Sequence, residues 1–593
     1  MTAQLAGMGA IPFDQGVAFR VWAPNAQAVT VKGDFNGWSA DANPLTDEGN
    51  GYWYGVVDGA RAGQEYKYHL RNGDDWFDRN DPYARRVTNS MGNSVVVDHS
   101  ACDWQGDSFA CPPHNELVIY ELHVGSFNSP GDGALGNFDS VLQRLDHIID
   151  LGFNAVQLMP VMEFAGDRSW GYNPAHPFTV ESAYGGPDGL KDFIRECHRR
   201  GLAVLVDVVY NHFGPSDLDL WRFDGWGEND KGGIYFYNDW RSSTPWGDTR
   251  PDYGRGEVRQ YIHDNAMMWL EDYHADGLRY DMTVYIRTAK GGFDDIPEGW
   301  SLMTWINQDI RAKFPGKILI AEDMHSNPDL VGAEEGQAAF HSQWDAGFVH
   351  PLRAAMGAFQ DSDRSMADIA GAIGHIYDAE AFRRVIYTES HDEVANGKAR
   401  SVTDINPYDQ QGWHAQKRTT LGAAVTLTSP GIPMLFQGQE FMQGGFFSDD
   451  RPLDWTLNDT YPGIVALHRD LIRLRRNWTD ETRGLSGQGF NVFHTNEDFK
   501  VIAWHRWKEH GTGDDVVVVM NWSGEMRGGY RIGLPAGGTW KLQLNSDAKL
   551  YSDSFGVGQA FDLVAEDGDQ DGYAYSAAVD LAPYSVLVYS WQG

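Results

Sequence analysis

Eight short apolar runs recur between residues 117 and 437, and helix-like segments separate several of them. The runs lie at 117–123, 154–159, 203–209, 277–281, 318–322, 338–344, 385–390 and 432–437. Apolarity that is continuous rather than alternating marks a strand buried on both faces, which implies a parallel sheet covered by helices. The helix punctuation agrees. Pro187 and Gly201 bracket one intervening segment, and another spans about 256–275. Strand–helix repeats of this kind predict an α/β fold built on a (β/α)8 barrel. Three passages end on a carboxylate: Leu278-Arg279-Tyr280-Asp281, Ile318-Leu319-Ile320-Ala321-Glu322 and Glu389-Ser390-His391-Asp392. Barrel strands point their C-terminal ends at the active site, so the three acids are expected to meet around one pocket.

The texture differs on either side. From about 12 to 100, short alternating strands such as Val17-Ala18-Phe19-Arg20-Val21-Trp22 and Glu65-Tyr66-Lys67-Tyr68-His69-Leu70 predict a β-sandwich. A loop near Cys111-Pro112-Pro113 follows, and alternation returns after about 480 in Val516-Val517-Val518-Val519-Met520 and Ser585-Val586-Leu587-Val588-Tyr589. The expected domains are therefore 1–105, 116–480 and 481–593; a chain of 593 residues is too long for a single core. Residues 213–255, rich in Trp, Gly and Asp, form the longest insertion and are expected to be an active-site lid. Glu566-Asp567-Gly568-Asp569-Gln570-Asp571 reads as a solvated acidic loop, with cation binding as the alternative.

Charge narrows the partners. Acidic residues number 83 against 47 Lys plus Arg, a formal charge of −36. Such a field repels nucleic acid and anionic lipid but suits a neutral polysaccharide; acidity for solubility or a saline habitat fits equally. Aromatic residues make up 13%, with 22 Trp, enough for ring faces that stack on sugars or for large β-rich cores. Cys102, Cys111 and Cys197 cannot build a disulfide framework and read as reduced thiols, which points to the cytoplasm. The stretch Met1-Thr2-Ala3-Gln4-Leu5-Ala6-Gly7 has no basic segment of the kind that opens a secretory leader, and no run approaches the ~20 apolar residues of a membrane span.

Four motifs then occur in order: Asp207-Val208-Val209-Tyr210-Asn211-His212, Gly277-Leu278-Arg279-Tyr280-Asp281, Ile320-Ala321-Glu322-Asp323 and Glu389-Ser390-His391-Asp392. With these the chain resembles the α-amylase superfamily, glycoside hydrolase family 13, over nearly its whole length. The resemblance implies that Asp281 is the nucleophile, Glu322 the general acid/base and Asp392 the third carboxylate around the sugar. It assigns His212 and His391 to hydrogen bonds with that sugar. Tyr172, in Trp170-Gly171-Tyr172-Asn173-Pro174, matches the aromatic platform beneath it, and Asp207 a supporting acid. A retaining mechanism of this kind needs two carboxyls roughly 5–5.5 Å apart, one ionised and one protonated. Arg279, two residues before Asp281 and so on the same strand face, can hold that acid ionised. No cofactor is implied. Calcium stays open, because Asn211 stands where many α-amylases place a ligand, with partners to come from 213–255.

The N-terminal stretch, with Phe19-Arg20-Val21-Trp22-Ala23-Pro24-Asn25-Ala26 and Gly33-Asp34-Phe35-Asn36-Gly37-Trp38, resembles a family-48 carbohydrate-binding module. There Trp38, Trp53 and Tyr68 serve either glucan stacking or the core. Within the superfamily, Leu158-Met159-Pro160-Val161-Met162-Glu163, Glu389 to Lys398, Gly431 to Phe441 and Arg451-Pro452-Leu453-Asp454-Trp455 look like 1,4-α-glucan branching enzymes. Val208 to Pro215 and Gln343-Trp344-Asp345 look like maltooligosyltrehalose trehalohydrolases, and Met282-Thr283-Val284 departs from the small residue usual in branching enzymes. The expected activity is glucan branching on α-glucan or maltooligosaccharide, with α-glucan hydrolysis and non-catalytic glucan binding as the alternatives. Oligomeric state is not legible in these motifs.

Overall fold

The computed structural model describes residues 5–131 and 133–593, so Met1 to Gln4, part of the stretch read above for a leader, lie outside the described residues. The eight expected barrel strands all form. They are β1 (Ile119–Leu122), β2 (Ala155–Leu158), β3 (Ala203–Val208), β4 (Gly277–Tyr280), β5 (Ile318–Ala321), β6 (Ser342–Trp344), β7 (Arg384–Ile386) and β8 (Ile432–Phe436). They close in the order β2 through β8 and back to β1. Every residue in them is buried, which is why the sequence carries continuous apolar runs there rather than alternation.

The chain divides into two compact units. One comprises Met1–Ala110, His123–Gln143 and Leu158–Asp323. Within it, the parallel register sets Asp207 of β3 beside Arg279 of β4, and Arg279 beside Ile320 of β5. Gly277 opens β4 because nothing larger fits: a Cβ there would fall 2.3 Å from the Ile318 carbonyl oxygen. The helix bracketed by Pro187 and Gly201 is Gly186–Arg199, and Gly256–Glu271 is the other, ending short of the expected residue 275. The insertion after β3 is irregular apart from two short 3₁₀ turns, Gly233–Tyr235 and Trp240–Ser242.

The N-terminal sandwich is also in this unit. One sheet holds Gly9–Phe13, Gly16–Trp22, Tyr52–Asp58 and Thr46–Gly49; the other holds Ala28–Gly33, Glu65–Asn72, Asp75–Arg79 and Ser94–Val95. Phe19 of the first sheet packs edge-on against Tyr66 of the second with ring centroids 5.1 Å apart. Tyr68 is fully buried with its hydroxyl donating to Asp81 at 3.2 Å, which makes it a core residue rather than a sugar platform.

The second unit comprises Cys111–Leu122, Arg144–Gln157 and Met324–Gly593. It carries β6, β7, β8 and β1 as a parallel run, and an eight-stranded antiparallel C-terminal sheet between Gly489 and Trp591. Trp540, Val517, Val519, Ile532 and Leu587 fill the core of that sheet. The acidic segment expected as a loop is not one. Glu566 to Gln570 belong to the strand Leu563–Gln570, where Glu566 opposes Ser576 and Asp567 opposes Tyr575. Pairing with the strand Tyr573–Leu581 overrides side chains that disfavour strands, and their carboxylates stay in solvent. Among the described residues no helix is long and apolar enough to cross a membrane.

Candidate active site

Arg279 organises the acids of the first unit. It lies on β4 with no exposed surface, in register beside Asp207 and two residues before Asp281, so all three side chains share one direction. Its Nη1 meets Asp207 Oδ2 at 2.7 Å and Asp281 Oδ1 at 3.2 Å, and its Nη2 meets Glu322 Oε2 at 2.6 Å. Burial works against the guanidinium charge, but Asp207, Glu322 and Asp281 outweigh it and hold the group well above its ordinary value. Asn211 Nδ2 donates to the other Asp281 oxygen at 2.8 Å, so both oxygens of Asp281 accept hydrogen bonds and its plane is fixed. The Tyr172 hydroxyl donates to Asp207 Oδ2 at 2.6 Å, and its ring lies 5.8 Å from the Arg279 guanidinium carbon.

Glu322 is the first residue beyond β5. Met282, just after Asp281, takes a left-handed backbone at φ +38°, a conformation costing about 1–3 kcal/mol for a residue with a side chain. That bend aims the Met282 N–H at Glu322 Oε2, 3.0 Å away, and the Thr283 N–H at the Glu322 carbonyl, 2.7 Å away. The departure noted at Met282-Thr283-Val284 is thus the turn that braces Glu322.

His212 is buried, and burial pushes its pKa down to about 4, so its ring is neutral near pH 7. Its Nδ1 pairs with Asn211 Oδ1 at 2.8 Å, and Trp246 stacks on it at 4.6 Å and 16°. Trp246 in turn meets the Tyr285 ring edge-on at 5.2 Å and keeps 39% of its surface exposed. Sequence reasoning expected aromatic residues in the 213–255 insertion, but not which Trp would reach His212. Asn211, the open calcium position, turns its amide nitrogen to Asp281 and its oxygen to His212.

The second unit holds His391 and Asp392. Glu121, from β1, grips His391 twice, with Oε1 2.7 Å from the ring Nδ1 and Oε2 accepting from the backbone N–H at 3.1 Å. Glu121 was missed, although an acid inside the apolar run Val118-Ile119-Tyr120-Glu121-Leu122 was the available signal. Asp392 is half-buried and accepts from Asn396 Nδ2 at 3.2 Å. Glu389, at the head of the same motif, serves structure: it accepts from the Ser401 N–H at 2.7 Å and pairs with Arg400 at 3.2 Å. Within the first unit the structure gathers Asp207, Asp281, Glu322, Arg279, Tyr172, Asn211 and His212 into one bonded cluster, and within the second Glu121 holds His391.

Residues 83–224 and 218–530 match the alpha amylase catalytic domain, over more than half of the chain. The chain belongs to the alpha-amylase family. Carbohydrate-binding module 48 (isoamylase N-terminal domain) matches residues 7–84, and the alpha amylase C-terminal all-beta domain matches 493–592. Among curated relatives, a 1,4-alpha-glucan branching enzyme of Salinibacter ruber is 31% identical across 98% of this chain and 96% of its own. One from Rhodospirillum rubrum is 32% identical across 98% and 81%. In fold, this alpha-amylase family chain is similar to pullulanase type I of Bacillus subtilis complexed with maltose. The TM-score is 0.77 at 20% identity, covering 99% of this chain and 86% of that one.

Proposed function

We propose that this alpha-amylase family chain is a 1,4-α-glucan branching enzyme, which cuts an α-1,4 link and transfers the released chain to a glucan 6-hydroxyl. One observation carries the reading: the 31% identity to the Salinibacter ruber branching enzyme runs across nearly the full length of both chains. In the first half-reaction Asp281 attacks the anomeric carbon while Glu322 protonates the departing glycosidic oxygen. The C1–O4 bond breaks and a glycosyl ester to Asp281 forms. Glu322 Oε2 faces Arg279 and the Met282 N–H, so the transferable proton is carried on Oε1. In the second half-reaction the acceptor 6-hydroxyl attacks C1, Glu322 takes its proton, and the ester breaks.

Arg279 and Asn211 keep Asp281 aligned for attack, and Asp207 anchors both Arg279 and the Tyr172 hydroxyl beneath the sugar ring. His212, His391 and Asp392 take the sugar hydroxyls, with Glu121 fixing the His391 ring. Carboxyls alone carry this chemistry, without a cofactor. The partner is a neutral α-glucan, in keeping with the charge of −36. A cytoplasmic setting is part of the same reading; Cys102 and Cys197 are not joined in a disulfide. Incubation with pure amylose tests it: NMR should detect new α-1,6 linkages with few new reducing ends. Rising reducing ends without α-1,6 signals would replace branching by hydrolysis.

A further inference from the structure

The C-terminal sheet carries a second cluster of chemistry-bearing side chains, on the hairpin that joins Val501–Trp507 to Val516–Asn521. His505 lies on the first strand, His510 in the connecting loop, and Asp515 immediately before the second strand. His505 Nε2 and His510 Nδ1 both point at the same carboxylate oxygen, Asp515 Oδ1, each at 2.8 Å. The other oxygen of Asp515 is held separately by the Gly511 N–H at 2.7 Å, which fixes the carboxylate plane. One ligand atom from each of the three residues lies within 4.8 Å of the others.

The surroundings hold these atoms in place. Trp507, two residues from His505 on one strand face, stacks on the His510 ring at 4.8 Å and 16° and leans on the His505 ring at 4.6 Å. His510 takes a left-handed backbone at φ +65°, unusual for a residue with a side chain, and this turns its ring back towards Asp515. His505 is 2% exposed, so its ring is held against Asp515 by the packing around it. On its open side the cluster borders a cavity of about 630 Å³ also lined by Tyr573 and Trp591.

We propose that His505, His510 and Asp515 form a zinc site, with two imidazole nitrogens and one carboxylate oxygen as ligands and a fourth position open to that cavity. Two imidazoles and a carboxylate suit a borderline ion such as Zn²⁺ better than Ca²⁺ or Mg²⁺, which take oxygen sets. Bonds of about 2.0–2.1 Å in tetrahedral geometry place ligand atoms about 3.3 Å apart. The two 2.8 Å contacts need to open by about half an ångström each, and the two ring nitrogens, within 4.8 Å of one another, to settle at about 3.3 Å; the loop-borne His510 is the ligand placed to shift. The Gly511 amide and the Trp507 face act as the outer shell that such sites use to orient their ligands.

The test uses the full chain, stripped with a chelator and titrated with Zn²⁺ alone in a calorimeter. One ion per chain is expected. His510→Ala, a change at a largely exposed loop residue, should weaken uptake by about a hundredfold while leaving glucan turnover and circular dichroism unchanged. Co²⁺ in place of Zn²⁺ should give the visible absorption of a four-coordinate ion in the unaltered chain and lose it in His510→Ala. Absence of saturable uptake overturns the proposal. So does uptake of equal strength in His510→Ala, since the ion is then held elsewhere.

Discussion

Two arginines in this fold are equally buried and meet opposite fates. Arg279 on β4 faces three carboxylates and is held well above its ordinary pKa. Arg384 at the start of β7 has one carboxylate, Asp345 at 3.0 Å, and otherwise backbone carbonyls: Ala372 at 2.8 Å, Ile373 at 2.7 Å and Pro430 at 2.7 Å. Burial pulls Arg384 below its ordinary value, and Asp345 offsets that only in part. Carbonyls spread partial charge around a guanidinium and tie loops to it. Carboxylates concentrate full charge and crowd one another. The first arrangement staples a structure; the second keeps acids at close quarters that would otherwise repel, which is a condition for chemistry more than for stability.

The sharpest probe of this contrast is Asp281→Asn. Turnover should fall by about 10⁴-fold or more while glucan affinity, read by calorimetry, is retained; surviving turnover removes Asp281 from the nucleophile role. Next come the two arginines themselves. Arg279→Met and Arg384→Met should each cost about 3–5 kcal/mol in urea unfolding, because a buried acid loses its partner. Only Arg279→Met should also lower kcat, by about 10²–10³-fold. If folded Arg384→Met loses kcat as steeply, the contrast between staple and tool fails.

A smaller effect concerns a buried acid pair without an arginine. Burial raises Glu163 to about 8, with the nearby Glu181 charge adding to it, and burial with the Asp167 charge raises Glu181 to about 7. The folded state thus binds protons that the unfolded chain has already released. Stability is then fully present near the ordinary carboxylate range and falls as pH rises from there through 8. Glu163→Gln should flatten that fall by on the order of 2 kcal/mol, seen in melts at pH 6 and pH 9. An unchanged slope would show that the pair does not share its protons. The mildest change is Trp246→Ala, which uncovers the neutral His212 ring. KM for glucan should rise about tenfold with kcat nearly kept, the cost of one lost stacking face; a collapse in kcat instead would place Trp246 in the chemistry.

The barrel was legible because strands buried on both faces leave no polar alternation; seven of the eight runs contain their strand, and the seventh run, 385–390, overlaps Arg384–Ile386 at its start. Arg279 and Asp281 were legible because a spacing of two is a strand's own period. What escaped notice lacked a local period. Arg384 finds Asp345 39 residues away, and Glu121 finds His391 across 270. Trp246 could not be told from Trp221, Trp226 and Trp240 in the same insertion until the loop had a path. Glu566 to Gln570 were read as a loop because strand pairing can override side-chain preference where the carboxylates remain in water.

The grip of Glu121 on His391 also sets an order of events during synthesis. β1 is translated early, yet its barrel partner on that side is β8, with Phe436 opposite Glu121 and the Gln437 N–H donating to the Glu121 carbonyl at 2.9 Å. The edge that carries the clamp is therefore secured only when the ribosome has passed residue 437. A nascent chain still short of that point lacks the ladder that holds the β1 edge, so the strand presenting Glu121 to His391 has no neighbour on that side.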